Sequence, residues 1–448
     1  MKNKKLLILF IFLIVGVGIF LAHKRGWIPG LLKKTQDPAT ELVLEWYQFA
    51  LRSDRFTEGF RAPVAARAYA YIGLAAYEAA HPFLPGNYHS LANRFEGLVL
   101  PVSDPALAYH LPTVLNATYN GMFQKLFLTA PFNIEAERLA LVKKWMDQSQ
   151  QEVDRATWQR SKEYGEQIAA AMYAWSETDS LGHMGHLHNF DREYIPPDHA
   201  GSWEPCQDFP TPSLLPYWGK TRIFLLDTSQ FHATPLPPFS LDSRSIYAVN
   251  ALELYTLQSP LSTENRWIGE FWSDDHPGLT FSSAGRWISI TNQIVTLESP
   301  SIEKTLETYL RLGLAMSDAI VLCWREKYTF NLMRPETLIR KLYQADWRPV
   351  IHTPPFPSYP AGHAMVAAAS AEVLTALYGD NFAITDYSHE HRPEFRSEPR
   401  SYRSFYEMAA ENSYSRIALG VHFRFDCEEG TRLGTIAGKK IAQEVLKE

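Results

Sequence analysis

Cysteine is scarce in this 448-residue chain: Cys206, Cys323 and Cys427 are scattered, odd in number and never in a C-x-x-C spacing. That excludes a disulfide framework and a thiolate zinc site, and leaves the three as packing residues. Positive charge is also in short supply. Lys plus Arg total 43 against 49 Asp plus Glu, a net charge of −6, so no global basic field holds nucleic acid. Any affinity for anions must come from a local cluster. No internal repeat of fixed period is visible, and no run of alternating residues predicts a substantial sheet. What the chain does have is apolar material: 46% of residues are hydrophobic and 21% charged, enough for a large core and too apolar for a disordered chain.

One segment stands apart. Lys2, Lys4 and Lys5 precede 17 uninterrupted apolar or glycine residues, Leu6 to Ala22, followed by His23, Lys24 and Arg25. The run exceeds the usual core of a cleaved signal and sits at the short end of what spans a bilayer. A single signal-anchor over residues 1–25, with a cleaved signal peptide as the second reading, is expected to place the body of the protein outside the cytoplasm. No other segment is as long and uncharged, which excludes a polytopic membrane protein. Residues 26–37 read as a basic linker.

From Pro38 the pattern is helical. Helices are expected over Glu41–Leu51, Ala62–Ala80, Pro105–Leu128 and Ile134–Trp175, making an N-terminal helical region over 38–180. Nine of the 29 prolines fall between Pro196 and Pro238. Proline at that density forbids long helices and central strands, so 181–244 reads as an extended, aromatic-rich connection over the surface. Helical spacing resumes at Ser245 and continues through Ser301–Lys327, Gly362–Tyr378, Tyr402–Leu419 and Thr431–Leu446, defining a C-terminal core over 245–448. The expected fold is all-α, built of packed helical bundles behind one N-terminal hydrophobic helix.

Three segments of that core carry unusual polar residues. In Lys327-Tyr-Thr-Phe-Asn-Leu-Met-Arg334-Pro335, the apolar stripe Ile302, Leu306, Tyr309, Gly313, Met316, Ile320, Trp324 runs directly onto Lys327. An inward lysine needs an anionic partner. In Phe356-Pro-Ser-Tyr-Pro-Ala361-Gly362-His363, the histidine opens an alanine-rich helix. Free amides and the positive helix end gather there, and an imidazole there can move protons near neutral pH. In Ser415-Arg416-Ile-Ala-Leu-Gly420-Val-His422-Phe-Arg-Phe-Asp426, the aspartate can hold one nitrogen of His422, leaving the other as ligand, base or nucleophile. Lys327, Arg334 and Arg416 supply three cations, an inventory suited to a tetrahedral oxyanion.

K-x6-R-P, then G-H, then S-R-x5-H-x3-D, in that order, resembles the three-part signature of the vanadium-dependent haloperoxidase and type 2 phosphatidic acid phosphatase superfamily. The upstream segments Arg61-Ala-Pro-Val-Ala-Ala-Arg67 and Tyr77-Glu78-Ala79 are similar to bacterial haloperoxidase-related chains. The resemblance implies a helical-bundle fold with one pocket in which Lys327, Arg334, Arg416 and the Gly362 amide bind vanadate or phosphate. His422 would bond vanadium or attack phosphorus, with Asp426 behind it, and His363 would be the acid–base residue. Lys327 would polarise bound peroxide, and Trp324 and Phe356 would line the halide side. The implied partners are hydrogen peroxide and a halide or, in the phosphatase alternative, a phosphate ester cleaved through a phosphohistidine. The chain departs from the family's P-S-G-H in having Ala361 before Gly362, which removes one hydroxyl donor of about 0.5–1.5 kcal/mol. Ser358, nearby in sequence, is expected to point elsewhere. His183, His186 and His188 form a weaker candidate for zinc or copper, and Asp274 and Asp275 offer carboxylates that could orient Arg334 or Arg416 but read more simply as solvent-exposed loop acids.

Overall fold

The computed structural model describes residues 37–446, apart from 207, 209, 391, 395 and 445. The hydrophobic segment at Leu6–Ala22 lies outside the described residues. Among the described residues no helix is long and apolar enough to cross a membrane.

Thirteen α-helices make up the described chain. The first five are α1 (Pro38–Phe56), α2 (Ala62–Ala80), α3 (Leu111–Leu126), α4 (Phe132–Glu152) and α5 (Arg155–Glu177). Next come α6 (Ile246–Leu257), α7 (Thr263–Phe271), α8 (Ser283–Glu298) and α9 (Ile302–Phe330). The last four are α10 (Pro335–Leu342), α11 (Gly362–Tyr378), α12 (Phe405–Ala418) and α13 (Arg424–Ala442). Two antiparallel ladders complete the fold: β1 (Phe190–Asp191) with β2 (Ser213–Leu214), and β3 (Ile384–Asp386) with β4 (Arg400–Tyr402).

Where caps are local, the helix boundaries follow them. Asp37 accepts the Ala39 amide at 2.9 Å and Pro38 occupies the first turn of α1. The stretch expected as one helix over Ile134–Trp175 is two, because Asp154 takes the amides of Ala156 and Thr157 and starts α5 afresh. The expected start at Pro105 moves to Leu111, and the last helix begins at Arg424 rather than Thr431.

The core sits around α9, which is buried along almost its whole length and packs on both α2 and α11. Helix α13 presses closely on α11. Gly430, Gly434 and Gly438 recur every four residues, and a Cβ at each would come within 2.2–2.5 Å of the carbonyl oxygens of Ala361, Met365 and Ala369. Glycine is therefore required along this seam. It sets the start of α13, with Asp426, against the start of α11, with His363. The proline-rich connection is not confined to the surface. Trp203, Trp218, Phe224 and Phe231 are buried in it, while Tyr217 stays exposed. Asp318 of α9 holds it down by accepting the amides of Phe224, Leu225 and Leu226.

Candidate functional site: a buried cationic pocket

Helices α9, α11, α12 and α13 meet at one place, and the three sequence segments meet with them. Lys327 ends the apolar stripe of α9 and is fully buried. Its ammonium donates to the carbonyls of Pro357 (2.9 Å) and Ser358 (2.8 Å). Arg334, at the break before α10, donates from Nε to Phe356 O (2.7 Å) and from Nη1 to Val421 O (2.9 Å). Three successive carbonyls of the 356–358 turn thus gather two cations from one helix end. Arg416, in the last turn of α12, donates to Ser415 Oγ at 3.0 Å and to the Trp272 carbonyl. Among the described residues, none of the three cations makes an ion pair with a carboxylate. Arg334 Nη2 is buried with no hydrogen-bond partner at all.

The two histidines face these cations. His422 Nδ1 lies 3.0 Å from Asp426 Oδ2, and its Nε2 lies 3.1 Å from Arg334 Nη1. A guanidinium can only donate, so this network assigns the proton to Nδ1 and leaves a lone pair on Nε2. Asp426 Oδ2 also accepts the Phe423 amide (3.0 Å) and the Ser358 hydroxyl. Ser358 therefore does not point elsewhere: the turn after Phe356 folds back and aims its Oγ at Asp426, 3.5 Å from His422 Nδ1. His363 stands in the first turn of α11, half-buried, with Nε2 at 3.4 Å from Arg416 Nη1.

Burial and mutual repulsion set the charges. Burial, with Arg334 alongside, pushes the Lys327 ammonium down to about 7. Burial lowers Arg334 to about 9 and Arg416 to about 10. Both histidines are held well below their ordinary range, first by burial and then by these cations, so both imidazoles are neutral at neutral pH. Burial raises Asp426 to about 6 against the pull of Ser358 and Lys327. A pocket in which cations are costly and unpaired is complementary to an anion.

Gly362 supports the same conclusion. A Cβ there would meet Trp324 at 3.5 Å and Cys323 at 3.7 Å, ordinary contacts, so packing does not demand glycine. Its absence leaves the first-turn amides of α11 open to a ligand. Trp324 and Phe356 touch at a ring separation of 5.1 Å. The Phe356 ring also lies 5.1 Å from Lys327 Nζ and 4.7 Å from the Arg334 guanidinium, so it walls the pocket rather than only filling the core. Ala361 is fully buried and caps α11 with no side-chain hydrogen bond.

Two other expectations change. Asp274 is a buried residue, 3.0 Å from His389 Nε2, and not an exposed loop acid. Its charge acts on both Arg416 and His363. The histidine tract is not gathered: His186 is buried against Phe60, His183 faces Tyr173, and His188 is exposed. Among the described residues, the cluster with metal-ligand spacing is Cys206, Asp208 and Glu336, whose carboxylates are already taken by Arg340 and Arg348.

A mainly helical bundle carrying a cluster of three buried cations and two histidines is the class that this fold and site define. The chain is similar in sequence and fold to vanadium haloperoxidases. The family model for the second helical-bundle domain of VCPO matches residues 307–346 and 343–448, the region that holds the pocket. Vanadium chloroperoxidase of Curvularia inaequalis is 29% identical over 163 residues, a match covering 26% of this chain and 27% of that enzyme. The match therefore spans about a quarter of that relative's length. The crystal structure of the first bacterial vanadium-dependent iodoperoxidase superposes with a TM-score of 0.80 at 27% identity, covering 91% of this chain and 98% of that one. A holo-type bacterial vanadium-dependent chloroperoxidase shares the fold, with a TM-score of 0.65 at 15% identity over 87% of this chain and 93% of that one.

Proposed function

We propose that this protein is a vanadate-dependent haloperoxidase-like enzyme that oxidises halide with hydrogen peroxide. The observation that carries the reading is the set of three buried cations, without carboxylate partners, around His422 Nε2, whose lone pair faces Arg334. Bound vanadate would supply a Lewis-acidic centre at which hydrogen peroxide is activated toward halide. The residues fit such a group. Lys327, Arg334, Arg416 and the Gly362 amide would hold its oxygens, and His422 Nε2 would hold the metal. Asp426, itself fixed by Ser358, keeps the His422 proton on Nδ1 and so keeps Nε2 free to bond. His363, neutral at working pH, takes up the proton that hydrogen peroxide gives up. Trp324 and Phe356 form an apolar wall that removes water from the halide side. The Lys327 ammonium, costly to bury, gains further stabilisation when negative charge develops beside it.

The test is reconstitution. Protein purified without phosphate should oxidise iodide, bromide or chloride with peroxide only after orthovanadate is added, and phosphate should compete the activity away. Halide oxidation that ignores both additions contradicts the reading. The segment Leu6–Ala22 is read as an anchor that keeps the catalytic body outside the cytoplasm. Full-length protein should then fractionate with membranes, whereas release by high salt with an intact N-terminus would contradict that placement.

A further inference from the structure

We propose that His389, acting with Arg286, is a positioning residue for the oxyanion pocket: it clamps the Phe271–Asp274 segment on which Arg416 rests. The proposal rests on the reading above, that Arg416 binds the oxyanion, and assigns a task to a residue outside the three signature segments.

The segment is held in an unusual way. Three consecutive carbonyls are each taken by a different guanidinium: Phe271 O by Arg286, Trp272 O by Arg416 and Ser273 O by Arg392. Of these three arginines, Arg416 is the one beside His363. Arg286 is completely buried, with its guanidinium 4.5 Å from the ring centres of both Phe271 and Trp272. Its Nε lies 3.3 Å from Asp386 Oδ2 and its Nη1 lies 3.8 Å from Asp274 Oδ1. Asp386 is pinned in turn by the Ser388 amide (2.8 Å) and Gln293 (3.1 Å).

His389 closes the arrangement. It follows β3 in the chain, stacks on Phe281 at 5.3 Å, and donates from Nε2 to Asp274 Oδ1 at 3.0 Å. Burial, and Arg286 nearby, hold this imidazole down to about 4, so at neutral pH it is an uncharged donor. Asp274 stays ionised although burial opposes it, because Arg286 and His389 hold it at about 2. Its carboxylate is the largest electrostatic support of the Arg416 charge, and it also faces His363. His389 thus fixes the direction of a buried anion that steadies Arg416 and His363 from behind. Partners at this remove are worth about 10–100-fold in affinity or activity at comparable sites.

The experiment measures the orthovanadate dissociation constant of the full chain by calorimetry, with thermal unfolding recorded for every variant. His389→Leu should weaken binding about 10–100-fold. His389→Gln, which keeps a neutral N–H donor toward Asp274, should bind close to wild type, a rescue that a merely structural role would not give. In an Asp274→Asn background, His389→Leu should cost little more than Asp274→Asn alone, because both act through one carboxylate. Wild-type affinity in a folded His389→Leu protein overturns the proposal, as do equal losses from Leu and Gln or fully additive losses. If His389→Leu does not fold, wild-type affinity in Asp274→Asn, or a loss in His389→Gln, overturns it. Failure of the functional reading looks different: wild-type protein then fails to bind orthovanadate, or binds it as well after Arg416→Ala, and both proposals fall together.

Discussion

Replacing Lys327 by methionine removes a buried ammonium while keeping most of its stem, and the consequence can be worked out in sign and size. Burial lowers this lysine from 10.5 to about 7 in the folded protein. In the unfolded chain it titrates at about 10.4, so between those values the unfolded state binds more protons than the folded one. Stability therefore rises with pH across that window. The loss caused by the unpaired charge is fully present below about 7 and is relieved as pH approaches about 10. One such group contributes about 2–3 kcal/mol of added stability between about pH 7.5 and about pH 9.5. Urea unfolding of phosphate-free wild type and Lys327→Met at both pH values isolates the effect, because other groups cancel largely in the difference. The wild type should gain about 2–3 kcal/mol more than the variant. Saturating phosphate should abolish the difference, since the anion keeps Lys327 charged in the folded state. Parallel pH dependence of the two proteins, with no anion present, would refute the claim that Lys327 is an unpaired buried cation.

Arg416→Ala deletes a charged donor to the oxyanion worth about 1.5–3 kcal/mol, about 10- to 150-fold in orthovanadate affinity. Lys143→Ala, at an exposed lysine paired with Asp147 one helical turn away, should leave that affinity unchanged in the same calorimeter. Ser358→Ala removes one of the donors that hold Asp426 behind His422, and kcat for halide oxidation should fall about 10-fold with the protein still folded. Full activity would mean that Ser358 only fills space. Ala361→Ser adds a hydroxyl at the fully buried cap of α11, and orthovanadate affinity should rise by about 0.5–1.5 kcal/mol. A higher melting temperature with unchanged affinity would show that the hydroxyl caps the helix instead.

How much of this structure is legible in the amino-acid sequence follows the range of the interactions involved. Helices α2 and α11 match expectation residue for residue, since a break before each, an alanine-rich apolar face and, for α11, Gly379 are all local signals. The break at Asp154 is hidden in the sequence because a single capping carboxylate is the whole signal, inside a stretch with continuous helical spacing. Lys327 could be recognised as inward-facing because the stripe of α9 carries straight onto it. Ser358 and Asp274 could not be placed, because their contacts, Asp426 and His389, lie 68 and 115 residues away. The buried tryptophans of the proline-rich connection were misplaced for a related reason. Proline density forbids helix but says nothing about which face of an extended segment the core will cover. Glycine at 430, 434 and 438 is a further local signal, marking a face that another helix approaches closely.

The central claim is that the pocket binds an oxyanion for peroxide chemistry, with His422 as the residue that bonds to its central atom. One preparation decides it, freed of phosphate and divided in two. Half receives orthovanadate, peroxide and bromide; half receives a chromogenic phosphate ester and is acid-quenched during turnover, with His422→Ala beside wild type in each. The account predicts vanadate-dependent bromide oxidation in the wild type, none in His422→Ala, and no phosphate trapped on the protein. A burst of phosphohistidine in the wild type, absent from His422→Ala, together with no vanadate-dependent halide oxidation, would contradict it and make the protein a phosphatase.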